Sequence, residues 1–272
     1  MRTAEWINLT FFSFFVIASW LRPLTSRARL AIAAIGATGI GLIVAAQLAH
    51  WLLPFFTVSV ARDWLPAALM PMVYWQAGRF SSTVNERFQT RLQRLDDKLL
   101  RRWMPSLSTK PGYRWVAICL ELAYLSCYAL VPLGLGVLYF AHMRQHITEY
   151  WSVVLSATYP CYAFTAFVPT LPPRLIETGS MLLSTGKIRG LNLWIVRWFS
   201  IKLNTFPSAH VTATLGASLV LLHFVPTIGL VFLLVSIGIA LGAVLGRYHY
   251  AADVLLGGAL AVAVYTLEVF FN

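Results

Sequence analysis

Long, continuous apolar runs are the feature that most limits how this chain can fold. Eight of them can be distinguished, and several approach or exceed the ~20 apolar residues that a helix needs to span a hydrocarbon core. They cover residues 7–21, 29–56, 63–78, 114–140, 147–167, 207–224, 226–246 and 250–271. Only 11% of the 272 residues are charged, against about a quarter in a typical soluble domain. The pattern predicts an all-α fold, a polytopic membrane helical bundle, in which the short first run either spans the bilayer or lies in its interface.

The net charge of +11 is unevenly distributed along the chain. In a soluble protein such a charge would suggest a nucleic acid partner. Here the basic residues cluster between the apolar runs, which indicates loops beside anionic headgroups or phosphate ligands; Lys187 and Arg189 are candidates for headgroup contacts. We therefore expect the bilayer, and not nucleic acid, to be the partner, and the sequence predicts no oligomeric state. Cys119, Cys127 and Cys161 lie inside apolar runs without metal-ligand spacing and are interpreted as packing residues.

The connection at residues 79–112 has the pattern of an amphipathic helix. Its apolar residues recur at steps of three and four, with a basic opposite face. They are Val84, Phe88, Leu92, Leu95, Leu99 and Trp103. Such a helix lies on a membrane surface, with Ser81 or Ser82 as its N-cap; a solvated connector is the alternative. We therefore divide the chain into N-terminal membrane helices at 1–60 and a core at 61–272 that includes this connection.

Three short polar stretches stand at the ends of apolar runs and contain the residues that could carry out chemistry. The stretch "PTLPPR" ends with Arg174, "FPSAH" contains Ser208 and His210, and "GRYHYAAD" contains Arg247, His249 and Asp253. The first stretch follows the fifth run, the second opens the sixth, and the third joins the seventh to the eighth. If successive runs cross the bilayer, all three stretches therefore lie at the same face.

His249 and Asp253 are four residues apart, a spacing that places both side chains on one face of a helix. Asp253 can then accept a hydrogen bond from one ring nitrogen of His249, which fixes the tautomer and leaves the other nitrogen as a nucleophile. A structural His–Asp pair that joins two helices is an equally good interpretation of these two residues alone.

His210 lies in the first turn of a helix that opens with Pro207 and Ser208. Free amides at a helix N-terminus bind anions, phosphate especially, and His210 can give a proton to a leaving oxygen. The alternative is a histidine that is held by a backbone carbonyl. Arg174 and Arg247 can stabilise the charge of a phosphoryl group in its transition state, or else extend to headgroups.

Together these stretches resemble the three motifs of the type 2 phosphatidic acid phosphatase superfamily. The second motif, Pro-Ser-(small)-His, is similar to Pro207–His210, with Ala209 as the small residue. The third ends in His-x-x-x-Asp before an apolar helix, and resembles the "HYAAD" that starts at His249. The first contains an arginine beside prolines, the position of Arg174. The resemblance covers about residues 114–271.

The resemblance implies a six-helix catalytic core, here with one or two extra N-terminal helices, and a reaction that needs no metal and no cofactor. His249 would attack the phosphorus of a lipid phosphate monoester or diphosphate and form a phosphohistidine. Asp253 would orient His249, and His210 would protonate the leaving alkoxide. The residues implied to hold the phosphate are Arg174, Ser208, Ala209 and Arg247.

Two positions depart from the superfamily's pattern. Phe167 stands where the first motif usually has a lysine, and Ala243 stands where the third motif usually has an arginine. Arg247, two residues before His249, is a candidate replacement. The forms "PPR" and "RYHYAAD" are similar to those of inositol phosphorylceramide synthases. The alternatives are therefore a phosphotransferase that moves a phospho-headgroup to a lipid hydroxyl, and a non-catalytic lipid-binding relative.

A haem or metal site built on a histidine pair is a further alternative. His142 and His146 are four residues apart, but Glu149 is their only acidic or cysteine neighbour of ligand spacing. This pattern disfavours a metal site.

Two arguments give opposite answers about the side of the membrane on which the three stretches lie. The superfamily usually places its site outside the cytoplasm. By contrast, 18 of the 21 Lys and Arg residues fall in loops on the side of the three stretches, and the positive-inside rule would make that side cytoplasmic.

Overall fold

The computed structural model describes residues 1–80, 83–100, 113–177 and 186–271. Within these ranges the chain forms eleven α-helices, numbered in chain order. They are α1 (Thr3–Ala18), α2 (Ser26–Leu48), α3 (Phe55–Gly78), α4 (Glu86–Leu100), α5 (Tyr113–Leu125), α6 (Cys127–Phe140), α7 (Ile147–Phe167), α8 (Lys187–Phe199), α9 (Ala209–Phe224), α10 (Pro226–Leu245) and α11 (Ala251–Phe271). The prediction of an all-α membrane helical bundle is confirmed.

Three of the described helices, α2, α10 and α11, are each long and apolar enough to cross a membrane. A fourth span results if the bent pair α5 and α6 is counted as one. The helices α1 and α9 are also apolar but have only 16 residues each. The first predicted run therefore forms a helix that is shorter than a standard span.

The sequence predicts residues 114–140 as one apolar segment, but the structure divides it into α5 and α6, which are bent by 59°. The break is at Ser126, whose Oγ donates to the carbonyl of Ala123 at 2.6 Å and competes with the regular helical bonds. Pro132 lies inside α6 and has no amide proton to donate to the preceding turn. The helix is interrupted at Ser126 alone, and one serine leaves the run apolar, so hydropathy does not reveal the break.

The helix α7 is largely buried and packs against α1, α3, α9 and α11. The helix α9 packs in turn against α10 and α11. At Gly257 the backbones of α11 and α9 approach closely, because an added Cβ would lie 2.8 Å from the Ser208 carbonyl oxygen and from Thr212 Oγ1. This close approach brings the start of α9 beside the first turns of α11, and with it the second and third polar stretches.

The predicted amphipathic connection contains the helix α4, which begins at Glu86. Asn85 caps it, because its Oδ1 accepts a hydrogen bond from a first-turn amide at 3.0 Å. Ser81, Ser82 and Trp103, which the sequence assigns to this helix, lie outside the described residues. One face of α4 is buried, and the helix packs against α11. Its position at the membrane surface stays a prediction.

The bundle has two polar ends. At one end lie the loops that contain the three polar stretches. At the other, Arg62 pairs with Glu5 at 2.7 Å, Arg144 pairs with Asp63 at 2.8 Å, and Arg2 also pairs with Asp63. Residues near the starts of α1 and α3 and from the connection before α7 are thereby joined, as expected for helices that cross the bundle alternately.

Candidate active site

His249 lies in the loop between α10 and α11, and its side chain is buried against Asp253. The His249 Nδ1 is 3.3 Å from Asp253 Oδ2. The same carboxylate oxygen accepts hydrogen bonds from Asn204 Nδ2 at 2.7 Å and from Tyr250 N at 3.0 Å. Donation from Nδ1–H to Asp253 leaves the lone pair on Nε2 of His249, which is the arrangement that a nucleophilic imidazole requires.

The electrostatic surroundings keep this imidazole neutral. Burial, together with the nearby Arg174 guanidinium, lowers the pKa of His249 to about 3. At neutral pH the ring therefore carries an unprotonated nitrogen. A nucleophile that attacks phosphorus must be in this state.

His210 lies in the first turn of α9 and faces the same space as His249. The two ring centroids are 5.9 Å apart with an interplanar angle of 74°. Tyr124 and Tyr128 contact the His210 ring edge-on, at centroid distances of 5.9 Å and 5.5 Å. Both imidazoles line one small polar pocket, so a phosphoryl group in that pocket would contact both.

Arg174 also lines this pocket. It lies in a short 3₁₀ turn, Pro173–Leu175, after the end of α7. Its Nη1 donates to the Tyr248 carbonyl at 3.1 Å, and its backbone N donates to the Arg247 carbonyl at 3.0 Å. The first polar stretch is thus fastened to the third, and a guanidinium is placed beside both histidines.

Ser208 and Ala209, which the sequence assigns to the phosphate site, are not among the described residues that line this pocket. Ser208 is fully buried, and its N donates to the Asp253 carbonyl at 2.9 Å. The Ser208 Oγ has no hydrogen-bond partner among the described residues. Ala209 is the first residue of α9, where the first-turn amides lack partners within the helix and can bind an anion.

Arg247 does not share the phosphate site that the sequence assigns to it. Its guanidinium pairs with Asp96 of α4 at 2.6 Å and also with Glu177. Among the described residues the pocket's lining includes Arg174 but not Arg247. The Asp96 and Glu177 carboxylates supply the negative charge that a phosphate would otherwise offer to this guanidinium. The backbone of Arg247 is left-handed, with φ of 59°, and its side chain extends to α4.

The two candidates for headgroup contacts differ from each other. Arg189 is buried and pairs with Glu121 Oε1 at 2.7 Å, so it is removed from headgroups by an internal carboxylate. Glu121 Oε2 also accepts bonds from Asn192 and Tyr248, both at 2.7 Å. Lys187, two residues earlier in α8, is exposed.

An apolar cavity of about 240 Å³ lies between α3, α6, α7 and α9. Its walls include Met70, Val131 and Ala213. His210 lines this cavity and the polar pocket alike. The two spaces therefore meet at the imidazole that the sequence assigns as a proton donor.

Several residues that shape the site carry no recognisable sequence signal. Asn204 orients Asp253 from a loop residue 49 positions away, and Tyr74 lines both spaces from α3. Each is an ordinary polar residue in its own stretch of sequence, and only the fold brings it to the site.

The histidine pair considered for a metal site lies elsewhere. His146 pairs with Glu149 at 3.6 Å and stacks on Phe224. Within the described ranges no three His, Cys, Asp or Glu side chains are grouped for a metal ion.

Comparison with protein families identifies the superfamily to which most of the chain is similar. The PAP2 superfamily model matches residues 90–267, which is more than half of the chain and includes all three polar stretches. A comparison with curated proteins found no match, and neither did a comparison with solved structures. The matched region begins within α4, so α1, α2 and α3 precede it.

Proposed function

The chain belongs to the PAP2 superfamily, and on this basis we propose that it hydrolyses a lipid phosphate monoester or diphosphate without a metal ion, through a phosphohistidine. The observation that carries the proposal is the junction at His210. A polar pocket with two histidines and an arginine meets an apolar cavity at that residue. A phosphate ester with a hydrocarbon chain would place its phosphate among the two histidines and Arg174 and its chain in the apolar cavity, with its ester oxygen beside His210.

In the first step, Nε2 of His249 attacks phosphorus, and a P–N bond forms as the bond to the leaving oxygen breaks. Burial, with His249 and Arg174 nearby, lowers the pKa of His210, and the negative charge of the bound phosphate opposes this and favours the protonated imidazole. His210 then gives its proton to the leaving oxygen, which departs with the lipid alcohol, or with the lipid monophosphate if the substrate is a diphosphate. Asp253, 3.3 Å from Nδ1, stabilises the positive charge that His249 acquires. Arg174 and the first-turn amides of α9 hold the equatorial oxygens.

In the second step, water attacks the phosphohistidine. His210, now neutral, takes a proton from the water, and the P–N bond breaks to release inorganic phosphate. His249 returns to its neutral state and His210 to its protonated state, so the cycle closes. The covalent intermediate divides one difficult displacement into two easier ones.

A phosphotransferase is the second candidate, in which a lipid hydroxyl replaces water in the second step. The similarity of "PPR" and "RYHYAAD" to inositol phosphorylceramide synthases favours it. The roles of His249, Asp253 and His210 are the same in both reactions, but the donor is then a phospholipid whose phosphate carries the headgroup. Donor and acceptor together therefore distinguish the two activities.

The test is a product assay with the purified protein in detergent, on a panel of lipid phosphates, with and without hydroxyl acceptors, and with a chelator present throughout. We expect turnover in chelator that is abolished by His249→Ala and by Asp253→Asn. His223→Ala is the matched control, because His223 lies exposed in the last turn of the same helix as His210. Turnover that survives the loss of His249 in a folded protein would contradict the proposal, and appearance of the transferred phosphate on an added hydroxyl acceptor would favour the transferase.

A further inference from the structure

The helix α4 carries buried polar side chains that the proposed mechanism leaves unused. Gln89 and Asp96 are seven residues apart, so they lie on the same face two turns from each other. Both are buried, with 7% and 3% of their surface exposed, and Leu92 between them is buried as well. Buried polar side chains are normally hydrogen-bonded, so the partners of Gln89 and Asp96 show what this face of α4 contacts.

Asp96 contacts the chain on both sides of the candidate nucleophile, His249. Its Oδ1 accepts a hydrogen bond from the Ala251 amide at 2.8 Å, and its Oδ2 pairs with Arg247 Nη2 at 2.6 Å. Ala251 and Arg247 lie two residues after and two residues before His249. One carboxylate on α4 thus fixes the start of α11 and the loop that precedes it.

Gln89 connects the same loop to the first polar stretch. Its amide group donates to the Tyr250 hydroxyl and, at 3.3 Å, to the Leu171 carbonyl. Its Oε1 accepts a hydrogen bond from Leu171 N at 2.8 Å, and the neighbouring Asn85 N donates to the Pro169 carbonyl at 2.9 Å. The loop that carries Arg174 and the loop that carries His249 are therefore both attached to one face of α4.

The backbone conformation of Arg247 depends on this attachment. A non-glycine residue with φ of 59° is in a sparsely populated region and persists only where surrounding contacts hold it. The contacts of the Arg247 side chain are the carboxylates of Asp96 and Glu177. Loss of the Asp96 carboxylate would let this residue relax, and the His249 ring two residues later would move with it.

We propose that α4 is a positioning element for the reaction, with Asp96 as its principal residue and Gln89 as its second. It holds the loop of the nucleophile against the loop of Arg174, and so fixes the distance between His249 and the phosphate. This inference rests on the proposed function for its effect on turnover. A misplacement of about 1 Å at a reacting group costs roughly 10²-fold in rate, so the loss should fall on kcat rather than on KM.

The experiment compares Asp96→Asn, Asp96→Ala and Gln89→Ala with the wild type, on the panel's best substrate in detergent micelles. Asp97→Asn is the matched control, because Asp97 is the exposed neighbour of Asp96 on the same helix and loses the same charge. We expect kcat to fall roughly 10²-fold in Asp96→Ala and about tenfold in Asp96→Asn, since asparagine can still accept from Ala251. KM should stay within about twofold of the wild type, as expected when only transition-state interactions are lost.

A second readout does not depend on turnover. The rate at which diethyl pyrocarbonate modifies His249, followed by peptide mass spectrometry, should rise severalfold in Asp96→Ala and Gln89→Ala but not in Asp97→Asn. If Asp96→Ala fails to fold, Asp96→Asn and Gln89→Ala decide the matter.

Wild-type kcat and wild-type His249 reactivity in the folded variants would overturn the proposal, and so would a change confined to KM. If the wild type turns over no lipid phosphate while His249 reactivity still responds to Asp96, the proposed function fails and the positioning role of α4 stands.

Discussion

At the scale of single residues, the burial of His249 links catalysis to stability. A folded pKa of about 3, against an ordinary value of 6.5, means that the unfolded chain binds a proton that the folded protein does not bind. His249 therefore costs no stability above pH 6.5, and it destabilises the folded state increasingly as the pH falls from 6.5 towards 3. The expected slope is about 1 kcal/mol per pH unit for one proton.

Replacement of His249 by glutamine should remove this slope. We expect the difference in Tm between His249→Gln and the wild type to shift in favour of the variant as the pH is lowered from 7.5 to 4.5. Thermal unfolding in detergent at a series of pH values measures this difference. A difference that stays constant over the range would mean that the imidazole is not kept neutral by its surroundings.

The buried ion pair between Glu121 and Arg189 supports a second residue-scale prediction. Glu121→Gln leaves the Arg189 guanidinium buried without its carboxylate partner, a change that typically costs about 3–5 kcal/mol of stability. The Tm in detergent should fall accordingly. Lys187→Gln removes an exposed charge from the same helix as Arg189 and should change the stability by less than about 0.5 kcal/mol; equal effects of the two variants would contradict the structural role of the pair.

The residues that were predictable from sequence are those whose partner is close in the chain. The four-residue spacing of His249 and Asp253 predicts their contact, and the structure has it. Glu121 and Arg189 are 68 residues apart, and no local pattern connects them. Arg247 was predicted to contact phosphate because of its position in the motif, but its left-handed backbone and the carboxylate of Asp96 are properties of the fold.

At the scale of helices, α3 contributes to the site from outside the region that matches the superfamily. Ala67, Met70 and Tyr74 of α3 line the apolar cavity, and Tyr74 also reaches the polar pocket, where its hydroxyl accepts a hydrogen bond from Ile201 N at 2.9 Å. The hydrocarbon chain of a substrate in this cavity would therefore contact a helix that precedes the matched core. Chain selectivity should accordingly be altered by substitutions in α3.

Ala67→Phe tests this by filling the cavity from α3. We expect kcat/KM for a long-chain lipid phosphate to fall about tenfold, the effect of roughly 1.4 kcal/mol, while a short-chain analogue is turned over as before. Ala68→Phe is the control, because Ala68 is exposed on the same helix. Equal losses for long-chain and short-chain substrates would show that the cavity does not hold the chain.

The periodicity of apolar residues predicts most of the helices. It does not predict where a helix is interrupted, or which polar residues of a helix are buried. The recurrence of apolar residues predicts α4, and the structure has a helix there. Its buried Gln89 and Asp96 are not evident from that pattern, because they interleave with the apolar positions and appear as part of the polar face. The break at Ser126 is not evident from the sequence either, because one hydroxyl in an apolar run leaves the mean hydropathy high.

At the scale of the whole molecule, the charge is more asymmetric than the sequence count suggests. The end of the bundle where the three polar stretches lie is the proposed catalytic end, called the catalytic end below. The three Lys and Arg residues that lie outside its loops are Arg2, Arg62 and Arg144. All three are paired with Glu5 or Asp63, so two carboxylates neutralise most of the charge of these three arginines. The catalytic end would keep a large excess of cations even without Arg174, Arg189 and Arg247. The positive-inside rule then predicts that the catalytic end faces the cytoplasm.

Single cysteines at the two ends decide this prediction. In a background with Cys119, Cys127 and Cys161 replaced by alanine, Thr90→Cys marks the catalytic end and Gln145→Cys marks the opposite end; both positions are exposed. In intact cells a membrane-impermeant maleimide should label position 145 at once and position 90 only after permeabilisation, because the end with 18 of the 21 Lys and Arg residues is the one that the positive-inside rule retains in the cytoplasm. The reverse pattern would place the site outside the cytoplasm. The cluster of cations would then be explained by phosphate and headgroup binding at the site, and not by the forces that orient the chain during insertion.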